Sequence, residues 1–468
     1  MTQAKRILSI FSLVMINVIA VDNLRTLPLS AQLGFPLVTY YMLAGITFFI
    51  PVALVAAELT TRFPSTGGIY IWVREAFGQR CALMTIWLQW IYNIVWYPTI
   101  LVFIVTTMAY LVNPSFAQHR FYLLTTSVTL FWLMTILNCF GMKVSSAISW
   151  FGALLGTLLP MMGISVLGII WMIQGKPLGI EFPIHWLPNG HDVNNASLFT
   201  AILFGLMGIE MSATHAEEVK NPQRDYPLAL FYSTIIIFST LVCGSLAILV
   251  IVPADQLNMV SGLIGAYELF FNAYHMPWMT PLIALMIIIG GLSGVSAWII
   301  GPTKGLLVAA RDGLIPEAFV AVNKHGVPVY ILITQALIVT LLGSVFVLID
   351  SIHDAYWLLS VLSAQMALVV YVMMFAAAIK LRHKKASKTT SYRMPGGKVG
   401  MLCVSTIGLL CCILAILVSF MPPPDINHRI FFECFQIGGL IGFSVFPWFF
   451  NRPNVGQVLS DRARAKSL

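Results

Sequence analysis

Charge is what this 468-residue sequence has least of: Asp, Glu, Lys and Arg make up 9% of it, against 59% apolar residues. A water-soluble domain carries about 25% charged residues, and a mean hydropathy of +0.87 leaves too little polar surface to cover one. That shortfall excludes a cytosolic enzyme, a secreted domain and a disordered chain together. Metal-binding and disulfide patterns are also lacking. The seven Cys form no Cys-x-x-Cys pair and nearly all fall in apolar runs, so packing thiols are expected, with neither a zinc site nor a disulfide framework. The nine His are scattered. No cluster of His, Cys, Ser/Lys or paired acids stands at membrane depth, so no enzyme and no cofactor are expected. No filter loop of a channel is present either. The longest hydrophilic stretches, near 174–196 and 381–399, are only loop-sized. The first apolar run begins at Ile7 and outlasts a signal-peptide core without a cleavage-type site, so it is expected to be retained as a span.

What the sequence does contain is a succession of apolar runs. A helix needs about 20 mostly apolar residues to cross a bilayer. That rule marks twelve: 7–33, 36–59, 81–112, 121–140, 145–173, 197–216, 228–252, 278–308, 328–349, 356–380, 400–420 and 430–450. The expected fold is an all-α polytopic membrane protein. An even number of spans returns both termini to one side. That side, with its helix ends, collects 22 of the 26 Lys and Arg; Arg120, Lys176 and Arg429 fall opposite and Arg25 lies within the first span. The positive-inside rule then places both termini in the cytoplasm. The net charge of +8 is therefore a topological signal, and no nucleic acid is expected as a partner. The basic cluster Lys380–Lys398 reads the same way, with contact to anionic headgroups left open.

Two spans do not read as plain helices. The first contains Val21-Asp22-Asn23-Leu24-Arg25 with Pro28 one turn later, and the sixth contains Phe204-Gly205-Leu206-Met207-Gly208-Ile209-Glu210. A charge at bilayer depth costs several kcal/mol unless it faces a cavity or a partner. Irregular backbone at depth meets the same condition. The interrupted spans are the opening helices of two successive five-helix units. Matching interruptions of this kind point to an inverted-repeat transporter with its site near the bilayer midplane. The expected units are 7–173 and 197–380, two further helices over 400–450, and a short tail over 451–468. At the first break two arrangements are open. Arg25 can reach back to neutralise Asp22, or it can point away and leave the Asp22 carboxylate to attract an amine.

Three segments then resemble a known family. Ala57-Glu58-Leu59 with Phe63-Pro64-Ser65-Thr66-Gly67-Gly68-Ile69-Tyr70 is similar to the loop after the second span of amino acid–polyamine–organocation (APC) transporters. Gly208-Ile209-Glu210 with His215-Ala216-Glu217-Glu218 and Asn221-Pro222-Gln223-Arg224-Asp225-Tyr226-Pro227 resembles their sixth span and the loop after it. Trp298, Gly301-Pro302-Thr303-Lys304-Gly305 and Arg311-Asp312-Gly313 resemble their eighth span and the following loop. Ala213-Thr214-His215, Gly301-Pro302 and the prolines at 422–424 point to the glutamate:γ-aminobutyrate antiporter branch.

The resemblance implies a LeuT-like fold of twelve helices, a 5+5 inverted repeat plus two, working by alternating access without ATP. It implies an amino acid or amine substrate held at the breaks, with Val21, Asp22, Asn23 and Leu24 forming the first and Phe204, Gly205, Met207 and Gly208 the second. Phe204 and Trp298 would cover the substrate. Glu210 matches an acid linked to gating and proton coupling, and Lys304 is grouped with it; an ion pair between the two is the structural alternative to that role. The function implied is exchange of amino acids and their decarboxylated amines across a bacterial inner membrane, with a proton-coupled permease for polyamines or cationic amino acids as the alternative. The bilayer is the other expected partner, and homodimerisation is left open. The first break lacks the Gly-x-Gly of many relatives, and Asp22 and Arg25 are unusual there. Cysteine substitutions at Lys388 and Asn194 should be labelled from opposite sides of the membrane; labelling of both from outside would overturn the topology.

Overall fold

A computed structural model describes residues 8–141, 148–180, 186, 194–349, 351–382, 392–422 and 429–449. Most of the Lys380–Lys398 cluster, the tail 451–468 and most of the loop near 174–196 lie outside these residues. The described chain is helical, and its one β-type pairing is an isolated bridge between Leu8 and Val219.

Among the described residues, eleven helices are long and apolar enough to cross a membrane. In chain order with the shorter helices, the first four are α1 (Ile10–Val21), α2 (Thr26–Ala31), α3 (Leu37–Arg62) and α4 (Ile69–Phe77). The next four are α5 (Gln79–Val112), α6 (Arg120–Cys139), α7 (Ile148–Ile173) and α8 (Asn194–Gly205), the last followed by a 3₁₀ helix over Ile209–Glu218. Then come α9 (Pro222–Ile251), α10 (Gly262–Ala273), α11 (Met279–Arg311) and α12 (Val329–Leu348). The chain closes with α13 (Ile352–Leu381), α14 (Gly397–Val418) and α15 (Arg429–Phe449).

The expected span 7–33 is the one missing from the eleven, because it is two helices. Its longest continuous piece, α1, has 12 residues, about 18 Å of rise and short of the bilayer core. The other expected runs agree with observed helices to within a few residues. The largest difference is at α9, which starts at Pro222 instead of 228. Its first turn is polar, with Pro222 where a missing N–H costs nothing and Asp225 at the positive end of the helix dipole. Hydropathy does not register such a turn. The same limit hid α4, which lies in a stretch read as loop.

Enclosure orders the spans from centre to periphery. In its most apolar window α5 is 83% buried, whereas α15 is 17% buried. The central helix α5 packs on α11 and α13, α11 packs on α7, and α6 packs on α12. The helices α1 and α3 both lean on α9, where Asn17 Nδ2 donates to Ser233 Oγ at 3.0 Å. Lipid tails are as apolar as the side chains they touch, so close packing of small residues must supply much of the helix–helix attraction. The contact of α7 with α11 is of that kind. Gly156 and Gly290 meet backbone to backbone, and any Cβ on either would overlap the other. Gly290→Val should therefore cost well over the ~1–3 kcal/mol of ordinary overpacking. In fluorescence-detected size-exclusion chromatography it should remove most of the monodisperse protein. Gly438→Val, on α15 with open space around it, should leave the profile unchanged.

Candidate functional site

The first break begins where α1 runs out of partners. The Asp22 N–H still donates to the Val18 carbonyl at 2.7 Å, after which the chain leaves the helix. Asn23 organises the restart: its Oδ1 accepts from the Arg25 N–H at 3.2 Å, and its carbonyl accepts from the Thr26 N–H and hydroxyl. Short polar side chains compete with helix in this way. Pro28 falls in the first turn of α2, where its absent N–H is harmless. The non-helical residues are 22–25. Val21, expected in the break, is the last residue of α1, and Arg25, expected beyond it, belongs to the break. The last turn of α1 leaves carbonyls unpaired, and the Trp298 indole N–H donates to one of them, that of Ala20, at 3.0 Å.

The second break is narrower than its sequence suggests. Phe204 and Gly205 are still in α8, and only Leu206, Met207 and Gly208 form the turn before the 3₁₀ helix. Gly208 has φ +116°, and a Cβ there would lie 2.8 Å from the Trp298 ring and 3.2 Å from the Ala20 carbonyl. Glycine is required on both counts. Gly205 is close to Thr26, 3.1 Å from its Cγ2 to a Cβ position. Both glycines thus admit protein neighbours, and through them the two breaks touch.

Glu210 is buried, and its carboxylate accepts from the Tyr371 hydroxyl at 2.6 Å. The same phenol oxygen accepts from the Gly208 N–H at 2.8 Å. Tyr371, on α13, therefore satisfies the free backbone donor of the second break and the carboxylate two residues on. Lys304 is not the partner of Glu210. Its ammonium is 3.1 Å from Glu218 Oε1 and 3.3 Å from His215 Nδ1, further along the 3₁₀ helix.

Asp22 and Arg25 make no ion pair. The Thr240 hydroxyl lies 3.0 Å from both carboxylate oxygens of Asp22, whereas Arg25 Nη1 donates to Thr99 Oγ1 at 2.6 Å and to Ser360 Oγ at 3.4 Å. The two charges serve two cavities. One, of about 340 Å³ counted out to its open side, is lined by Asp22, Asn23, Leu24, Trp96 and Trp298 among others. The other holds Arg25 with Phe204, Tyr356 and Ser360, and the guanidinium carbon is 5.9 Å from the Phe204 ring and 5.2 Å from the Tyr356 ring. Phe204 and Trp298, expected to share one lid, line different cavities. Met207, in the turn of the second break, is buried and is not among the residues that line either cavity. Sequence reasoning missed Tyr371, Thr240, Thr99 and Tyr356. Each is an ordinary polar residue on an otherwise regular span, and no local motif marks it.

Comparison with known proteins agrees with this architecture. Residues 6–441 match the model of the amino acid permease family. The chain belongs to that family. It is 61% identical to an uncharacterized transporter of Legionella pneumophila, over 98% of this chain and all of that protein. It is 31% identical to a glutamate/gamma-aminobutyrate antiporter of Lactococcus lactis, over 85% of this chain and 80% of that one. A probable agmatine/putrescine antiporter of the same species is 20% identical over 90% of each.

The segments that carry the family resemblance converge at one end of the bundle, with Arg62, Arg74, Lys304 and Arg382 among them. Glu58 pairs with Arg382 and accepts from the Met394 N–H at 2.9 Å. The Thr66 N–H donates to Glu217 at 3.1 Å, Gln223 Nε2 donates to the Thr61 carbonyl at 2.8 Å, and Arg62 Nη1 donates to the Leu381 carbonyl at 2.7 Å. Leu8 exchanges backbone hydrogen bonds with Glu218 and Lys220. Asp312 accepts from Arg74 at 2.7 Å and from the Tyr70 hydroxyl at 2.6 Å. Burial, and then the Asp312 carboxylate, push the Tyr70 phenol upward, so it remains a protonated donor at any physiological pH. This end is closed by many ties, each between segments distant in sequence. At the breaks, Tyr371→Phe should deprive the Gly208 N–H and the Glu210 carboxylate of the phenol they share and cost about 1–3 kcal/mol. Glu210→Gln keeps an acceptor for Tyr371, so its melting temperature should fall less than that of Tyr371→Phe; an equal or larger fall would show that the phenol is not the tie.

Proposed function

We propose that the chain is a secondary active transporter, not an enzyme, that exchanges amino acids and their decarboxylated amines across a bacterial inner membrane by alternating access. Exchange of the glutamate:γ-aminobutyrate kind fits best, given the 31% identity to an antiporter of that name. In this reading α1 and α2 form the first of twelve crossings and both termini are cytoplasmic. Residues 7–173 and 197–380 are LeuT-like inverted repeats, with 400–450 adding two helices.

The observation that carries the proposal is the meeting of two interrupted helices beside cavities of opposite charge. Free backbone groups and helix ends at such breaks suit the carboxylate and ammonium of an amino acid. The packing is also reciprocal, as two related repeats require. α5 packs on α13 as α11 packs on α7, and α3 with α9, α5 with α11 and α6 with α12 each join a helix to its counterpart. The closed basic end supplies the inner gate. Trp298, seated on Gly208 and tied to Ala20, is the gating aromatic between the breaks.

A second reading, a proton-coupled permease for polyamines or cationic amino acids, draws on Asp22. Its buried carboxylate has a hydroxyl partner and, among the described residues, no cation. Proteoliposomes loaded with single amino acids or amines separate the two. Internal γ-aminobutyrate should accelerate glutamate uptake severalfold over empty vesicles. Uptake of putrescine into empty vesicles under a pH gradient, without trans-stimulation, would favour the permease. Ion conductance, or a chemically altered product, would overturn the carrier altogether.

A further inference from the structure

The cavity that contains Arg25 has a composition that the proposed transport cycle does not itself explain. It lies between α2, α8 and α13, and the space among its walls, counted out to the open side, is about 470 Å³. Arg25, Tyr356 and Trp357 all line it, and all three are more than nine-tenths buried. Among the described residues Arg25 Nε and Trp357 Nε1 have no partner, and the Tyr356 hydroxyl, which can only accept from the neighbouring guanidinium, has none for its proton. An arginine Nε–H and an indole N–H can only donate, and a phenol can donate. Among the described residues no Asp or Glu lines the cavity. Arg25 Nη1 donates to the hydroxyls of Thr99 and Ser360.

A buried guanidinium with no counter-charge among the described residues, beside two more donors with nothing there to donate to, is unfavourable in a membrane protein unless an anion completes it. The nearest acid in sequence, Asp22, is engaged by Thr240 and lines the other cavity. None of the described residues therefore supplies the missing group. A planar carboxylate matches what is present, since guanidinium binds it with charge-assisted hydrogen bonds that the indole and phenol can supplement. The apolar walls, Leu29, Ala201 and Phe204, suit an aliphatic stem.

We propose that Arg25, Tyr356 and Trp357 form a carboxylate-binding subsite, occupied by a carboxylate of the transported amino acid. The proposal rests on the transporter reading above and adds to it the substrate class: ligands bearing a carboxylate gain from this cavity, and diamines do not. The carboxylate can come from the α-position or from the side chain, and the choice of probes distinguishes the two.

The test uses the full-length protein purified in detergent and measures affinity for L-glutamate, L-glutamine, γ-aminobutyrate and putrescine. Arg25→Gln should weaken every probe for which the subsite holds the carboxylate by about tenfold or more, while leaving putrescine unchanged. Trp357→Phe keeps the ring and deletes one N–H, and Tyr356→Phe does the same with one O–H. Each should weaken the same probes severalfold, which keeps the proposal testable where Arg25→Gln does not fold. Loss for glutamate but not glutamine assigns the side-chain carboxylate; equal loss for both assigns the α-carboxylate. The proposal is overturned if the folded variants bind the carboxylate probes as the wild type does, or if putrescine binding falls in parallel. Wild-type protein that binds putrescine alone sinks the subsite but not the transporter. Wild-type protein that binds none of the four sinks both.

Discussion

A helix interrupted inside hydrocarbon has to find partners for the backbone groups it frees, and each one left unpaired costs several kcal/mol. The centre of this protein is arranged around that requirement. The Ala20 carbonyl is taken by Trp298, the Asn23 carbonyl by Thr26, and the Gly208 N–H by Tyr371. Two of the three partners come from other spans, α11 and α13. The breaks are consequently fixed by the helices around them, and those helices are in turn positioned by close contacts such as Gly156 on Gly290. Backbone satisfaction and helix packing here are one problem.

This explains which parts of the molecule were legible in the sequence. The spans could be read because hydrophobic length is a property of consecutive residues, and eleven of the twelve expected runs lie on helices to within a few residues at most ends. The breaks could be read because Asp22, Asn23 and the glycines at 205 and 208 are conspicuous in apolar surroundings. Their edges were misplaced by a residue or more. Helix termination depends on local hydrogen bonds, such as Asn23 accepting from Arg25 N–H, that composition does not display. Family motifs identified the fold, yet most of their residues lie at the closed basic end, away from the cavities beside the breaks.

Partners across the bundle were not legible. Lys304 was a plausible mate for Glu210, both being charged residues at depth in spans that meet. The structure gives Lys304 to Glu218 and Glu210 to a tyrosine on α13. The pairing of Asp22 with Arg25 looked natural from three-residue spacing, but that spacing brings side chains together only in continuous helix. Here the helix stops at Val21. The same residues that break the helix abolish the geometry that would have paired them, and they send one charge to each side of the break.

The bridge between Leu8 and Val219 bears on motion. It ties the chain just before α1 to the chain just after the 3₁₀ helix, and those two half-helices also pack on each other along their length. On the far side of the breaks α2 packs on α8, with Gly205 seated against Thr26. The four half-helices are thus coupled as two pairs, near half with near half and far half with far half. A displacement of α1 that left residues 209–218 behind would break the backbone bonds at Leu8, whereas moving the pair together breaks none of them. Any movement of α1 that keeps those bonds therefore carries residues 209–218 with it, and residues 22–25 and 206–208 are the points at which the two spans are not held straight by helix.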